Sequence, residues 1–166
     1  MQSPSPPLPL VSRSRRFACM LYEAVLLFGV VFIADYLFDT LTQSTHALML
    51  RPWRQAWLFV VIGAYFVLSW RRGQTLPMKT WNIRLVDGDG TPPGLARSIA
   101  RYVLAWLPVL LGAALVALVR WATGWPGVLS LVVFAPMALF VWSWIDRQGQ
   151  FLHDRLLGTR LVSDER

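Results

Sequence analysis

The sequence predicts an all-α membrane protein: four transmembrane helices arranged as two hairpins of the same orientation, with short interfacial segments on the cytoplasmic side. Three observations predict it. Four apolar runs approach or reach the roughly 20 residues that a helix needs to cross a hydrocarbon core of about 30 Å, in a chain that is 55% apolar and only 15% charged. Basic residues gather at alternate ends of these runs. One polar tail is also written twice, once behind the second run and once behind the fourth.

The first twelve residues, with Pro4, Pro6, Pro7 and Pro9, read as a disordered leader. A secretory signal places its charge before its apolar core. Here the bases Arg13, Arg15 and Arg16 follow the prolines, and no small-residue exit ends the next run, which reads as a retained anchor. Residues 13–162 form the membrane domain, and 163–166 a tail.

The first span covers residues 17–37 and contains Glu23 and Asp35. The second, 55–70, is short. It reaches full depth if Arg54 and Arg71 snorkel, with Trp53, Trp57 and Trp70 among the headgroups. The third, 99–119, carries Arg101 in its first turn and Pro108 in its middle. The fourth, 126–145, contains Pro136. Both prolines are expected to kink their helices where they pack, since neighbouring groups satisfy the freed carbonyls.

Orientation follows from the bases. Thirteen of the sixteen lie before span one, around the loop between spans two and three, or after span four; only Arg51, Arg54 and Arg120 lie opposite. The positive-inside rule then puts both termini and the middle loop on the cytoplasmic side of the membrane. Both units begin and end inside, so they form a parallel repeat about an axis along the membrane normal. The net charge of +7 thus reads as contact with anionic lipid and not with nucleic acid, because the bases bracket apolar runs.

The repeated tail is the chain's main polar feature. Gly73, Gln74, Leu76, Lys79, Arg84, Leu85 and Val86 recur as Gly149, Gln150, Leu152, Arg155, Arg160, Leu161 and Val162. Ile83, Leu85 and Val86 ahead of Asp87-Gly88-Asp89-Gly90 suggest a strand and a tight turn. Phe151, Leu152, Arg155 and Leu156 have helical spacing before Gly158, which predicts a short interfacial helix. Residues 159–162 are expected to be extended and to pair with 83–86, joining both tails into one cap.

Enzymatic chemistry finds little foothold. His153 and Asp154 are adjacent, so on a helix they point about 100° apart; Asp154 is expected to hold Arg155 or a base elsewhere, and His153 to sit at the interface. Asp87-Gly88-Asp89-Gly90 lacks the remaining ligands of a calcium loop. Cys19 is the single cysteine, which excludes an internal disulfide and fits a small buried hydrophobe. No catalytic, metal or cofactor site is expected. Glu23 is different: a charged acid this deep in a span costs about 2.5–3.5 kcal/mol or more, so it must be paired, neutral or facing water. Arg16, Cys19, Met20 and Glu23 share one helix face. Arg16 points back toward the cytoplasm, which makes Arg101 or a base from the tails the expected partner.

Arg16 with Glu23, the loop from Gly73 to Lys79, and Gln150 with His153, Asp154, Arg155 and Thr159 together resemble the RDD family of bacterial multi-pass membrane proteins, named for an arginine and two aspartates. The resemblance covers residues 13–162. It implies that Arg16 takes the family's arginine and Asp154 one aspartate, while Glu23 stands where the other aspartate is expected and Pro77 where glycine is usual. Members have been linked to cation/proton antiport or to other membrane processes. Two readings follow. One is a binding or assembly module for lipid, a membrane-protein partner or further copies of itself. The other is a transport-related protein with Glu23 as a proton or cation site within an oligomer.

Overall fold

The computed structural model describes residues 11–43, 50–137, 146 and 150–164. It is mostly helical. Helix α1 (Arg13–Thr42) starts four residues before the apolar run because Ser12 caps it, accepting a hydrogen bond from the Arg15 amide. It then continues past the expected end through Asp35 and Asp39, for 30 residues. Helix α2 (Arg51–Arg71) has Pro52 in its first turn, where the missing N–H costs nothing. Helix α4 (Leu95–Thr123) ends at Gly124 in the left-handed conformation and accommodates Pro108 at a buried position. Between α2 and α4 lie a one-turn helix α3 (Leu76–Thr80) and strand β1 (Ile83–Val86). Helix α5 (Leu152–Leu157) and strand β2 (Arg160–Ser163) close the chain.

Among the described residues, α1 and α4 are the two helices long and apolar enough to cross a membrane. Their outward faces fit no aqueous environment: Val25, Phe28 and Phe32 on α1 and Leu110, Leu111 and Leu115 on α4 are all exposed, Phe28 by 75%. A continuous apolar surface of this kind marks a lipid-facing or partner-facing protein.

The fourth run departs from expectation. Its described part, Pro126–Met137, is a 3-10 helix of 12 residues and not an α-helix; 138–145 lie outside the described residues. Proline supplies no N–H and clashes with the carbonyl one turn earlier, so Pro136 disfavours regular α-helix in the last turn of this segment. At about 2.0 Å per residue the segment covers roughly 24 Å, against about 18 Å for the same residues in α-helix. It packs along α4.

The loop from Gly73 to Lys79 is also more regular than its sequence suggested. Thr75 caps α3 by accepting from the Met78 amide, and Pro77 sits in the first turn. Each tail is therefore a short helix followed by a strand. The expected pairing of the tails is present: β1 and β2 are antiparallel, with Leu85 opposite Leu161, Arg84 opposite Val162 and Val86 opposite Arg160. These partners are the echo residues themselves, so a local two-fold axis passes through the Leu85–Leu161 pair. The turn after β1 forms as expected, with Gly90 at φ 76° and its amide donating to the Asp87 carbonyl.

The buried core lies at the tail end of the bundle, where Cys19, Trp70, Met78, Ile83, Leu85, Tyr102 and Leu161 pack together. Residues 1–10 of the leader lie outside the described residues; Val11 is buried and donates its amide to the Leu161 carbonyl, and in the first turn of α1 Arg15 donates to the Trp81 carbonyl at 2.6 Å. At the opposite end of α1, Arg54 does not snorkel outward. It pairs with Asp35 at 3.0 Å and with Asp39, while the Trp57 indole donates to the Ala34 carbonyl. Trp70, expected among headgroups, is instead buried.

Helices α2 and α4 meet through aromatic rings. Tyr102 lies 5.0 Å from the Phe59 ring centroid and donates its hydroxyl to the Phe59 carbonyl at 2.8 Å. Gly63 makes this approach feasible, since a Cβ there would stand 2.8 Å from the Tyr102 ring. Gly63→Val is therefore expected to force Tyr102 out of its seat and lower stability by about 1–3 kcal/mol, read as an earlier melting temperature in detergent. Gly29, whose Cβ would meet open space, is the control and tolerates Ala unchanged.

Candidate functional site

The polar residues that the sequence singles out converge on the tail end of the bundle, where two buried bridges hold the long helices to the tails. In the second unit, Arg101 in the second turn of α4 donates Nε to Asp154 Oδ1 at 2.7 Å. Both are almost wholly enclosed, at 4% and 1% exposure. The guanidinium also lies over the Trp70 ring, 4.2 Å from its centroid, and Thr159 donates its hydroxyl to the same Asp154 oxygen at 2.9 Å. A buried ion pair of this kind contributes little net stability, but removing one partner strands a charge at a cost of about 3–5 kcal/mol.

In the first unit, the bridge is Glu23. It does not pair with Arg101, contrary to expectation. Its carboxyl accepts from the Tyr65 hydroxyl at 2.5 Å and from the Thr75 hydroxyl at 2.6 Å. Arg101 is engaged by Asp154 instead, because α5 packs on α4 and brings a full carboxylate to it. Arg16, Cys19 and Glu23 are all buried on α1, as their shared face required. Arg16 feels the nearby charges of Asp154 and Asp146.

The remaining tail residues serve the same junction. Gln74 donates its amide nitrogen to the Ile83 carbonyl at 3.0 Å and to Asp164 at 3.1 Å. Gln150 is buried, and its backbone amide donates to Asp146 at 2.9 Å. Arg155 pairs with Asp146, not with Asp154. Lys79 is exposed on α3. Asp154 pairs with a distant base as anticipated, whereas His153, expected at the interface, is enclosed. His153 is buried, stacks on Phe151 with ring centroids 5.5 Å apart, and its Nε2 stands 3.7 Å from Asp154. Its Nδ1 is enclosed and has no hydrogen-bond partner among the described residues.

Sequence reasoning missed Tyr65, Thr75, Asp146 and Thr159. Thr75 and Thr159 each stand in a quoted motif, so their place there was the available signal. Asp146 follows directly on the last apolar run, where a carboxylate at a span end marks a base to be held. Tyr65 is the single tyrosine of the second run, so its hydroxyl was the available signal there.

A cavity of about 480 Å³ opens on this junction, bounded by α1, α2, α4, the 3-10 helix and the start of α5. Arg16, Glu23, Arg101 and His153 stand in its wall, which is otherwise apolar. One feature decides the chain's kinship: the arginine at the start of the first helix, the acid seven residues on, and the tail aspartate gather around one junction. The chain matches the RDD family over residues 10–158. It belongs to the RDD family. No curated protein matches it. This RDD chain is a membrane protein: its family and its exposed apolar helices agree.

The electrostatics of the junction give a pH response. Burial drives the His153 pKa down to about 4; Asp154 opposes this shift and Arg101 adds to it. Burial alone would raise Asp154, but Arg101, His153 and the Thr159 hydroxyl hold its carboxyl below the usual range. His153 is thus neutral in the fold and binds a proton more readily when unfolded, near pH 6.5. Its contribution to stability is complete above that pH and is lost as pH falls toward 4, by roughly 3 kcal/mol at most. Melting temperature in detergent is expected to decline through this window, and His153→Gln to flatten the decline; an equal slope in the variant would assign it to other groups.

Proposed function

We propose that the chain is a four-span bacterial inner-membrane protein with both termini and the tail cap in the cytoplasm, and that it acts as a non-catalytic module binding a lipid or a membrane-protein partner. The four-span arrangement is supported by the length of α2, 21 residues, by the long reach of the 3-10 segment, and by the concentration of bases at one set of span ends. The symmetric pairing of β1 and β2 is what two units of like orientation would produce. A two-fold axis through an antiparallel strand pair stands perpendicular to it, so the cap would lie flat against the inner leaflet. Exposed Arg71, Arg72 and Lys79 would there meet anionic lipid headgroups.

One observation carries the functional reading. The two groups best suited to chemistry, Glu23 and Arg101, are each engaged in fastening a long helix to the tail helix of its own unit, through Thr75 and Asp154. Residues committed in this way support a scaffold with a binding cavity better than a transport path. A transport reading retains one supporting observation: Glu23 also borders the cavity, where a proton or cation reaching it between subunits of an oligomer would find a carboxyl poised by two hydroxyls.

Two measurements test the proposal. Phosphatase and fluorescent-protein fusions after residue 80 and at the carboxyl end should both report cytoplasm; a periplasmic signal at either sinks the topology. Purified protein in liposomes should pass neither protons nor sodium above the protein-free rate. Glu23→Gln should then lower thermal stability by about 1–3 kcal/mol through the weakened hydrogen bonds. Cation-coupled proton flux in wild type that Glu23→Gln abolishes would replace the module with a transporter.

A further inference from the structure

We propose that the cavity at the junction holds an uncharged amphiphile from the membrane, its hydroxyl donating a hydrogen bond to His153 Nδ1 and its apolar tail lying between α1, α2 and α4. The inference rests on the binding-module reading and names the class of ligand. Three observations lead to it. First, a volume of about 480 Å³ falls within the range of small-molecule sites, and its wall is of the mostly apolar kind with a few polar groups that such sites share. Leu27, Ile62, Phe66, Trp106, Val109 and Met137 line it, so a molecule entering from water would have to be strongly apolar, whereas one already dissolved in the bilayer would not.

Second, the charges around the polar end balance among the described residues. Arg16, Arg101 and Arg155 stand with Glu23, Asp146 and Asp154. Asp154 is engaged by Arg101, Asp146 by Arg155, and Glu23 by two hydroxyls. An ionised headgroup would enter with its own charge uncompensated and would have to give up its hydration. A neutral headgroup avoids that cost.

Third, a buried imidazole nitrogen in this wall lacks a hydrogen-bond partner among the described residues. His153 is 5% exposed, lines the cavity, and its Nδ1 makes no hydrogen bond among the described residues. An orphaned buried acceptor or donor is costly, and native proteins normally satisfy such atoms. The other ring nitrogen faces Asp154 at 3.7 Å, which favours the proton on Nε2 and leaves Nδ1 as an acceptor. What the site lacks is therefore a donor, and a hydroxyl on an apolar body supplies it. Phe151, stacked on the imidazole, and Trp106 would flank such a group.

Two classes of membrane molecule share this chemistry: long-chain or isoprenoid alcohols, and isoprenoid hydroquinones. The test uses radiolabelled farnesol with the full-length protein purified in detergent, and competes it with unlabelled farnesol, with decylbenzohydroquinone kept reduced, and with laurate. Saturable farnesol binding is expected, displaced by either hydroxyl compound and not by laurate. His153→Phe, which keeps the ring stack and removes the acceptor, should weaken binding about tenfold. Ala105→Leu, which intrudes on the cavity wall, should abolish it. Stronger displacement by the hydroquinone assigns the aromatic class, and weaker displacement the alcohol class; both support the proposal. It is overturned if farnesol binding does not saturate, if laurate competes as well as farnesol, or if Ala105→Leu binds like wild type. Should His153→Phe melt early, Ala105→Leu and the laurate comparison decide alone. Failure here leaves the module reading standing, since that reading falls only to cation-coupled flux.

Discussion

The fold depends on a charge that cannot be left alone. Asp154 is 1% exposed, and an isolated carboxylate so enclosed would be untenable. Arg101 resolves this by direct hydrogen bonding, and its position is in turn fixed by Trp70 beneath the guanidinium. Through these two contacts a single side chain ties α4 to α5 and to the end of α2. The first unit solves the same geometric problem with neutral donors: Glu23 reaches the cap residue of α3 and a tyrosine of α2. In both units the bridge joins the first long helix to the short helix of the tail. The chemistry differs, and the connectivity is the same.

This division of labour follows from the solvent. Where lipid surrounds a helix, apolar contact between helices gains little over contact with acyl chains. The exposed faces of α1 and α4 are accordingly rich in Phe, Leu and Val and do not define a packing partner. Specificity must then come from places where polar groups or close-packed rings meet. Three are visible: the Arg54 cluster with Asp35 and Asp39 at one end of α1, the Tyr102 contact at Gly63, and the tail junction at the other end. The packed cluster around Leu85 and Tyr102 lies at the junction, while Ala34 and Phe38 are buried beside the Arg54 cluster, so both ends of α1 help to set how the helices stand relative to one another.

Much of this was legible in the sequence. Hydropathy located α1, α2 and α4, and the doubled tail motif foretold both strands and their pairing, because period and turn residues are local signals. The shared face of Arg16, Cys19 and Glu23 was readable from helical spacing alone. Partner choice was harder. Glu23 was expected to seek a cation, yet it is satisfied by Tyr65 and Thr75, since hydroxyl donors can also stabilise a buried carboxyl and no local rule says which will be near. His153 was expected at the interface because the tail segment that carries it reads as a short interfacial helix. Its burial is a tertiary fact, set by Phe151 and α4. The 3-10 form of the fourth run was equally hidden, since composition reports hydrophobicity and not the rise per residue.

The register of the two strands carries an implication for how this gene can vary. Side chains alternate along a strand, so adding one residue ahead of β1 would rotate Leu85 out of the core and turn Arg84 inward. Because β2 meets β1 about a shared centre, such a slip would also misplace every partner on the far side. Length changes between tail helix and strand are thus expected only in matched pairs or in even steps, while the loop after Val86 stays free to lengthen.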